Sequence, residues 1–265
     1  MKQFLALLIS LCATEVFAAK ICFTAKEKDK MIHQEGDCSN QYPPESTFKI
    51  ALSLMGFNSS IFVDQDTPLW EYKNEYASFN NICKQDQTPK TWMRDSCLWY
   101  SQILTSKLGT RKFQQYVRDF NYGNMNLSGD KGLNNGLSRS WISSSLKISP
   151  HQQLDFLQNI IEQKLPVNKK SYIQTKGIMF VTELAAGWKL YGKTGSGVQV
   201  DHNCNKSELQ QGWFVGYIQK GSRSIVFASH IADDKKENVP ASFRARNEAF
   251  IKLYYIINEL EGSKY

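Results

Sequence analysis

The apolar residues of this chain change their period along its length, and the changes divide it into parts. Met1-Lys2 lead into an apolar run from Phe4 to Cys12, and the small residues around Val16-Phe17-Ala18 follow. That is the pattern of an export leader cleaved after Ala18, and its apolar run is too short to span a bilayer. Two short strands are expected at Lys20 to Thr24 and Met31 to His33, joined by the charged turn Lys26–Lys30. Pro43-Pro44-Glu45 disfavours helix, Ser46 is a good helix-starting residue, and the apolar run Ile50–Met55 continues the element until Gly56 can end it. Residues 57–89 are polar, aromatic-studded and weakly periodic. Thr91 to Leu108 then carries Trp92, Leu98, Trp99, Ile103, Leu104 and Leu108 at helical intervals, and Phe113, Tyr116, Val117 and Phe120 mark another amphipathic helix.

Tyr122-Gly123-Asn124 is a turn, and Gly129 to Ser138 is a loop rich in Gly, Asn and Ser. Ser149-Pro150 opens a helix whose apolar face is Leu154, Leu157, Ile160 and Ile161 and which ends before Pro166. Beyond Ile178 the period shortens to that of strands, at Ile178–Leu184, Trp188–Tyr191, Gly212–Gln219 and Ser224–His230. A last amphipathic helix is expected at Phe243 to Leu260, with Ala249, Phe250, Leu253, Tyr254 and Ile257 facing the sheet. Strands at both ends of the chain and helices between them predict an α+β fold. It would be an antiparallel sheet flanked by helices, forming one domain over residues 19–265 with an inserted helical part at roughly 57–175.

Composition narrows the function. The net charge of +7 is spread without a basic block or an aromatic-basic ladder, which fits solubility and mild attraction to anions rather than nucleic acid. After the leader no stretch approaches twenty apolar residues, so stable membrane insertion is not expected and a periplasmic location is. Five of the six cysteines lie beyond Ala18. Cys22 and Cys38 flank the first hairpin, where a bridge is favoured, while Cys97 in its apolar context is expected as a buried free thiol. His33, His151, His202 and His230 are scattered, no His-Glu-x-x-His occurs, and the pair His202 and Cys204 is a poor metal candidate, so no metal is expected.

The chemistry centres on Ser46-Thr47-Phe48-Lys49. Three residues apart on a helix, the Lys49 amine lies beside the Ser46 hydroxyl, giving a nucleophile with a candidate base one turn away. The spacing alone is weak, since Ser128-Gly129-Asp130-Lys131 and Ser144-Ser145-Leu146-Lys147 repeat it. Downstream companions single out the first copy: Ser96, Tyr122-Gly123-Asn124, Trp141 and Lys193-Thr194-Gly195, with the longer blocks Thr88-Pro89-Lys90-Thr91-Trp92 and Gly212-Trp213-Phe214-Val215-Gly216. In this order they resemble a class D β-lactamase, an oxacillinase of the penicillin-recognising serine enzyme group, over essentially the whole chain after the leader.

That resemblance implies hydrolysis of β-lactam antibiotics through a serine acyl-enzyme. Ser46 would be the acylated nucleophile and Lys49 an N-carboxylated general base, with carbon dioxide or bicarbonate the only accessory species. Ser96 would relay a proton to the lactam nitrogen, Lys193 and Thr194 would receive the substrate carboxylate, and the Ser196 N–H would share the oxyanion hole with that of Ser46. Trp141 would hold the lysine carbamate, with Phe48 and Leu98 helping to desolvate the amine. Where the family has Ser-x-Val this chain has Ser96-Cys97-Leu98, and the arginine that usually opens the last helix has two candidates, Arg244 and Arg246, or a serine substitute at Ser242. Helix phase favours Arg246. A penicillin-binding DD-peptidase or a β-lactam sensor domain shares these motifs, but the first would bring a different middle motif and the second an anchor. A monomer or weak dimer is expected.

Overall fold

The computed structural model describes residues 19–203 and 205–262. The expected leader and Cys204 lie outside them. A six-stranded, fully antiparallel sheet runs in the order β2-β1-β6-β5-β4-β3. Its strands are β1 (Lys20–Glu27), β2 (Lys30–Glu35), β3 (Phe180–Glu183), β4 (Lys189–Val200), β5 (Lys206–Lys220) and β6 (Arg223–Ala232). Both chain ends therefore complete one sheet, through β1 paired with β6 from Lys20↔Ala232 to Lys26↔Val226.

Period-two alternation in β5 shows why the sheet is covered twice. Trp213, Val215 and Tyr217 join the core under the helices, whereas Phe214 and Ile218 join Phe227, Ala249 and Leu253 on the opposite face. The covering helix there is α7 (Ala241–Leu260), which sits flush on β5 because Gly212 has no side chain. A Cβ on Gly212 would come within 2.0 Å of Ser242 N.

The helices of the other face all come from between β2 and β3: α1 (Lys49–Asn58), α2 (Pro89–Asp95), α3 (Leu98–Asp119), α4 (Gly136–Arg139), α5 (Pro150–Ile161) and α6 (Lys169–Met179). α2 and α5 start on capping boxes, Thr88 with Thr91 and Ser149 with Gln152, each followed by proline at the first helical position. α1 runs on past Gly56, whose missing side chain makes room for the Phe62 ring; a Cβ would meet that ring at 2.5 Å. Among the described residues no helix is long and apolar enough to cross a membrane.

Three differences from the sequence reading bear on the site. The helix expected from Thr91 to Leu108 breaks at Ser96, which takes a left-handed φ of 65°, and α3 continues through a kink at Gly109. α6 was not expected at all. Cys97 is no free thiol: it is bonded to Cys83, and Cys22 is bonded to Cys38. Cys83 closes a loop of 14 residues onto the junction that carries Ser96. Replacing both Cys83 and Cys97 by serine should lower the unfolding free energy by about 3 kcal/mol on loop-closure grounds. A urea midpoint indistinguishable from the parent's would contradict a structural role for this bridge.

Candidate active site

Ser46 lies in a 3-10 turn, Glu45–Phe48, that delivers the chain into α1. The turn is closed on Pro44 O by the Thr47 N–H at 3.1 Å and the Thr47 hydroxyl at 2.6 Å. It packs on the edge of β4 where that strand has glycines. A Cβ on Gly195 would come within 2.8 Å of Pro44 O, and one on Gly197 within 2.2 Å of the Glu45 carboxyl. Half-buried Ser46 thus forms part of a cleft of about 430 Å³, with Glu45, Ser96, Leu98, Ser143 and Ser196 among its walls.

Lys49, the first residue of α1, is fully buried, and its Nζ donates to Ser46 Oγ at 3.3 Å. Burial holds its amine well below the usual lysine range, the Lys193 charge pushes it in the same direction, and Glu45 opposes both. Its surroundings are apolar: Nζ lies 5.9 Å from the Trp92 ring centre, and Phe48 and Leu98 are buried in the same core. Phe48 packs against Trp141 with ring centres 5.6 Å apart. The two indoles differ in one respect. Trp92 Nε1 donates to Ser101 Oγ at 2.9 Å, whereas Trp141 Nε1 is buried without a hydrogen-bond partner. An unpaired buried N–H costs about 1–3 kcal/mol, and among the described residues no acceptor meets this one.

Ser96 reaches the cleft from the α2–α3 break, and its left-handed backbone turns the chain there. Lys193 is buried on β4, facing the helices, and burial lowers its ammonium to about 8, with Asp95 opposing. Thr194 and Ser196 alternate to the α7 side, where the Ser196 hydroxyl bonds that of Ser242. The two arginines of α7 differ in setting. Arg244 donates from Nη2 to both oxygens of the buried Asp233, at 2.8 and 2.6 Å. Arg246 is exposed, lies over the Phe250 ring at 5.9 Å, and lines a cavity of about 330 Å³ together with Lys193 and Thr194. Ser242, one turn before Arg246, is the α7 residue whose hydroxyl is bonded to β4.

The model of the penicillin-binding protein transpeptidase domain matches residues 19–254. β-Lactamase OXA-9 of Klebsiella pneumoniae is 40% identical over 228 residues, which cover 84% of this chain and 82% of that one. β-Lactamase OXA-1 of Escherichia coli is 42% identical over 218 residues, 82% and 76% of the two chains. The crystal structure of the OXA-427 class D β-lactamase superposes with a TM-score of 0.86 at 39% identity, covering 91% of this chain and 99% of that one. The chain belongs to the class D β-lactamase family. It is a β-lactam hydrolase that works through a serine acyl-enzyme.

In this class D β-lactamase the turn Tyr122-Gly123-Asn124 is a support. Asn124 Nδ2 donates to Ser145 O at 2.9 Å, its Oδ1 accepts from Lys147 N at 3.0 Å, and the chain end of Trp141's loop is fixed by both. The sequence reading passed over Glu45 and Ser143, which also line the cleft. Their only signal was position, an acid immediately before the nucleophile and a serine two residues after Trp141. Both carry positive φ, 51° and 44°, as Ser96 does, so three non-glycine residues around one cleft are held in a costly backbone conformation.

Proposed function

We propose that Ser46 is the acyl acceptor and that Lys49 serves as its base in N-carboxylated form. The observation that carries the second half is the fully buried Trp141 N–H, unpartnered among the described residues, on a ring packed against Phe48, the neighbour of the buried Lys49. Only a neutral amine combines with carbon dioxide, and burial favours the neutral form. Carboxylated, the side chain supplies an anionic oxygen base that takes the Ser46 proton during acylation and a water proton during deacylation.

Ser46 Oγ attacks the lactam carbonyl, the C–N bond opens, and the ring nitrogen takes its proton through Ser96. The backbone N–H groups of Ser46 and Ser196 face the developing oxyanion, a contribution of about 3 kcal/mol per donor. Water then cleaves the Ser46 ester, entering past Leu98. Lys193, Thr194 and Ser242 receive the ring carboxylate, which favours Ser242 over Arg246 as the α7 contribution, since Ser242 is the one bonded to β4. Ser242→Ala should raise KM by several-fold with a smaller change in kcat, and Arg246→Ala should leave KM for a simple penicillin within about twofold of the parent. A larger KM effect at Arg246 would reverse that assignment.

Two disulfides among the described residues support action in an oxidising compartment, and with the leader pattern they favour the periplasm. Steady-state hydrolysis of a penicillin, read beside the mass of the acylated chain, tests the whole reading.

A further inference from the structure

A buried acid stands next to the nucleophile, and the steps above make no use of it. Glu45 is 1% exposed and holds a φ of 51°. Its backbone N–H donates to Trp141 O at 3.0 Å. Its Oε1 accepts from Ser143 N at 2.8 Å, Ser143 Oγ at 2.7 Å and Gln211 Nε2 at 3.1 Å, while Oε2 is buried with no partner. The Ser143 hydroxyl in turn accepts the Val198 N–H at 3.0 Å. One side chain therefore ties the turn of Ser46 to the loop of Trp141, to β4 two residues past Ser196, and to β5.

The uneven loading of the two oxygens is that of a carboxylic acid: every donor converges on the carbonyl-type oxygen and the hydroxyl-type oxygen is bare. An ionised group would leave a charged oxygen buried without a donor, which costs far more than a bare hydroxyl. Nearby cations offset that cost only in part, chiefly through Arg139. Arg139 on α4 and Lys206 on β5 line the same cleft but turn to Asp130, at 3.5 and 3.6 Å. Lys49 on α1 is itself held toward neutrality, Lys193 on β4 is lowered by burial, and His230 on β6 reaches Glu45 only through Gln211, whose Oε1 it meets at 3.1 Å. Burial accordingly pushes the Glu45 carboxyl up to about 8, against the bonds from Ser143 and Gln211 and the charge of Arg139.

We propose that Glu45 is a positioning residue that works protonated, seating the Trp141–Ser143 segment and the oxyanion end of β4 against Ser46, and that ionisation loosens this seat. The proposal rests on the β-lactamase reading, so the parent must first turn over a penicillin at pH 7; absence of turnover there would remove that reading, not this one. The ionised form also favours a protonated Lys49 and repels an anionic group on it, so the loss on ionisation falls on kcat.

The test is the pH dependence of kcat and KM from pH 6 to 9.5 in saturating bicarbonate, for the parent, Glu45→Gln and Glu45→Ala. Glutamine keeps an acceptor for all three donors and cannot ionise. The parent's kcat should fall about tenfold above pH 8, Glu45→Gln should retain most of the kcat at pH 7 and lose that alkaline fall, and Glu45→Ala should be roughly 10- to 100-fold slower throughout. Deprotonation of Lys193 raises KM in the same range, and that rise should persist in every variant, which separates the two groups. An unchanged alkaline fall of kcat in Glu45→Gln, or a parental Glu45→Ala, would overturn the proposal.

Stability gives a second readout that does not need catalysis. The folded state holds the Glu45 proton above the unfolded value of about 4.5, so the parent loses stability as pH rises from there to about 8. Glu45→Gln should melt progressively above the parent across that window. If Glu45→Gln does not fold, Ser143→Ala decides: it removes a bond that favours the ionised form, so its kcat limb should move to higher pH, and a limb that stays or moves down contradicts the proposal.

Discussion

Replacing Ser46 by alanine should reduce β-lactam hydrolysis by roughly ten-thousand-fold or more, because every later step proceeds from the ester on its oxygen. The protein should stay folded. Ser46 is half-buried in a turn closed by Thr47 on Pro44, and its hydroxyl makes one bond, from Lys49 at 3.3 Å. Substrate should still bind, since Lys193, Thr194 and Ser242 are untouched. Intact mass after mixing with a penicillin should show an adduct on the parent and none on Ser46→Ala. An adduct that persists on the variant would move the nucleophile to another residue.

Depleting carbon dioxide should have the next largest effect. An ammonium at Lys49 can hold an anion but cannot accept the Ser46 proton, so turnover should fall in acid and in degassed buffer and recover on adding bicarbonate. The sign follows from the burial that lowers the amine: the neutral form is more available than in an exposed lysine and is lost as pH falls, along with the carbamate itself. Trp141→Phe keeps an aromatic ring in the packing against Phe48 and Phe113 and removes only the N–H. That variant should need more bicarbonate for half-maximal turnover, by about tenfold, with deacylation slowed more than acylation. A bicarbonate response identical to the parent's would take Trp141 out of the mechanism.

Much of this site could be read from the chain because strand and helix periods place it. Lys193-Thr194-Gly195 falls on a strand whose glycines admit the Ser46 turn, and Ser46 with Lys49 needs only one helical turn to meet. What escaped was local backbone. The apolar period runs unbroken from Trp92 through Leu98 and Trp99, so nothing in the pattern marks the left-handed Ser96 that splits α2 from α3. α6 was missed because its inner face is partly polar: Ser171 and Thr175 are fully buried, Thr175 bonded to Ser53 at 2.9 Å, while Ile173 faces out. The bridge of Cys83 to Cys97 was hidden because Cys83 lies in a stretch without periodicity and nothing in the pattern brings it to Cys97. Helix phase gives the side of a helix but not the height at which it meets the strand, so it does not by itself choose between Arg246 and Ser242.

The central claim is the carbamate on Lys49, and labelling with carbon-13 bicarbonate tests it most directly. The purified protein at neutral pH should show a carbamate carbon resonance that is absent from Lys49→Ala, weakened in Trp141→Phe, and lost and regained in step with activity as bicarbonate is removed and restored. A parent that shows no such resonance, and whose turnover is indifferent to bicarbonate, would contradict the claim and leave a neutral lysine as the base.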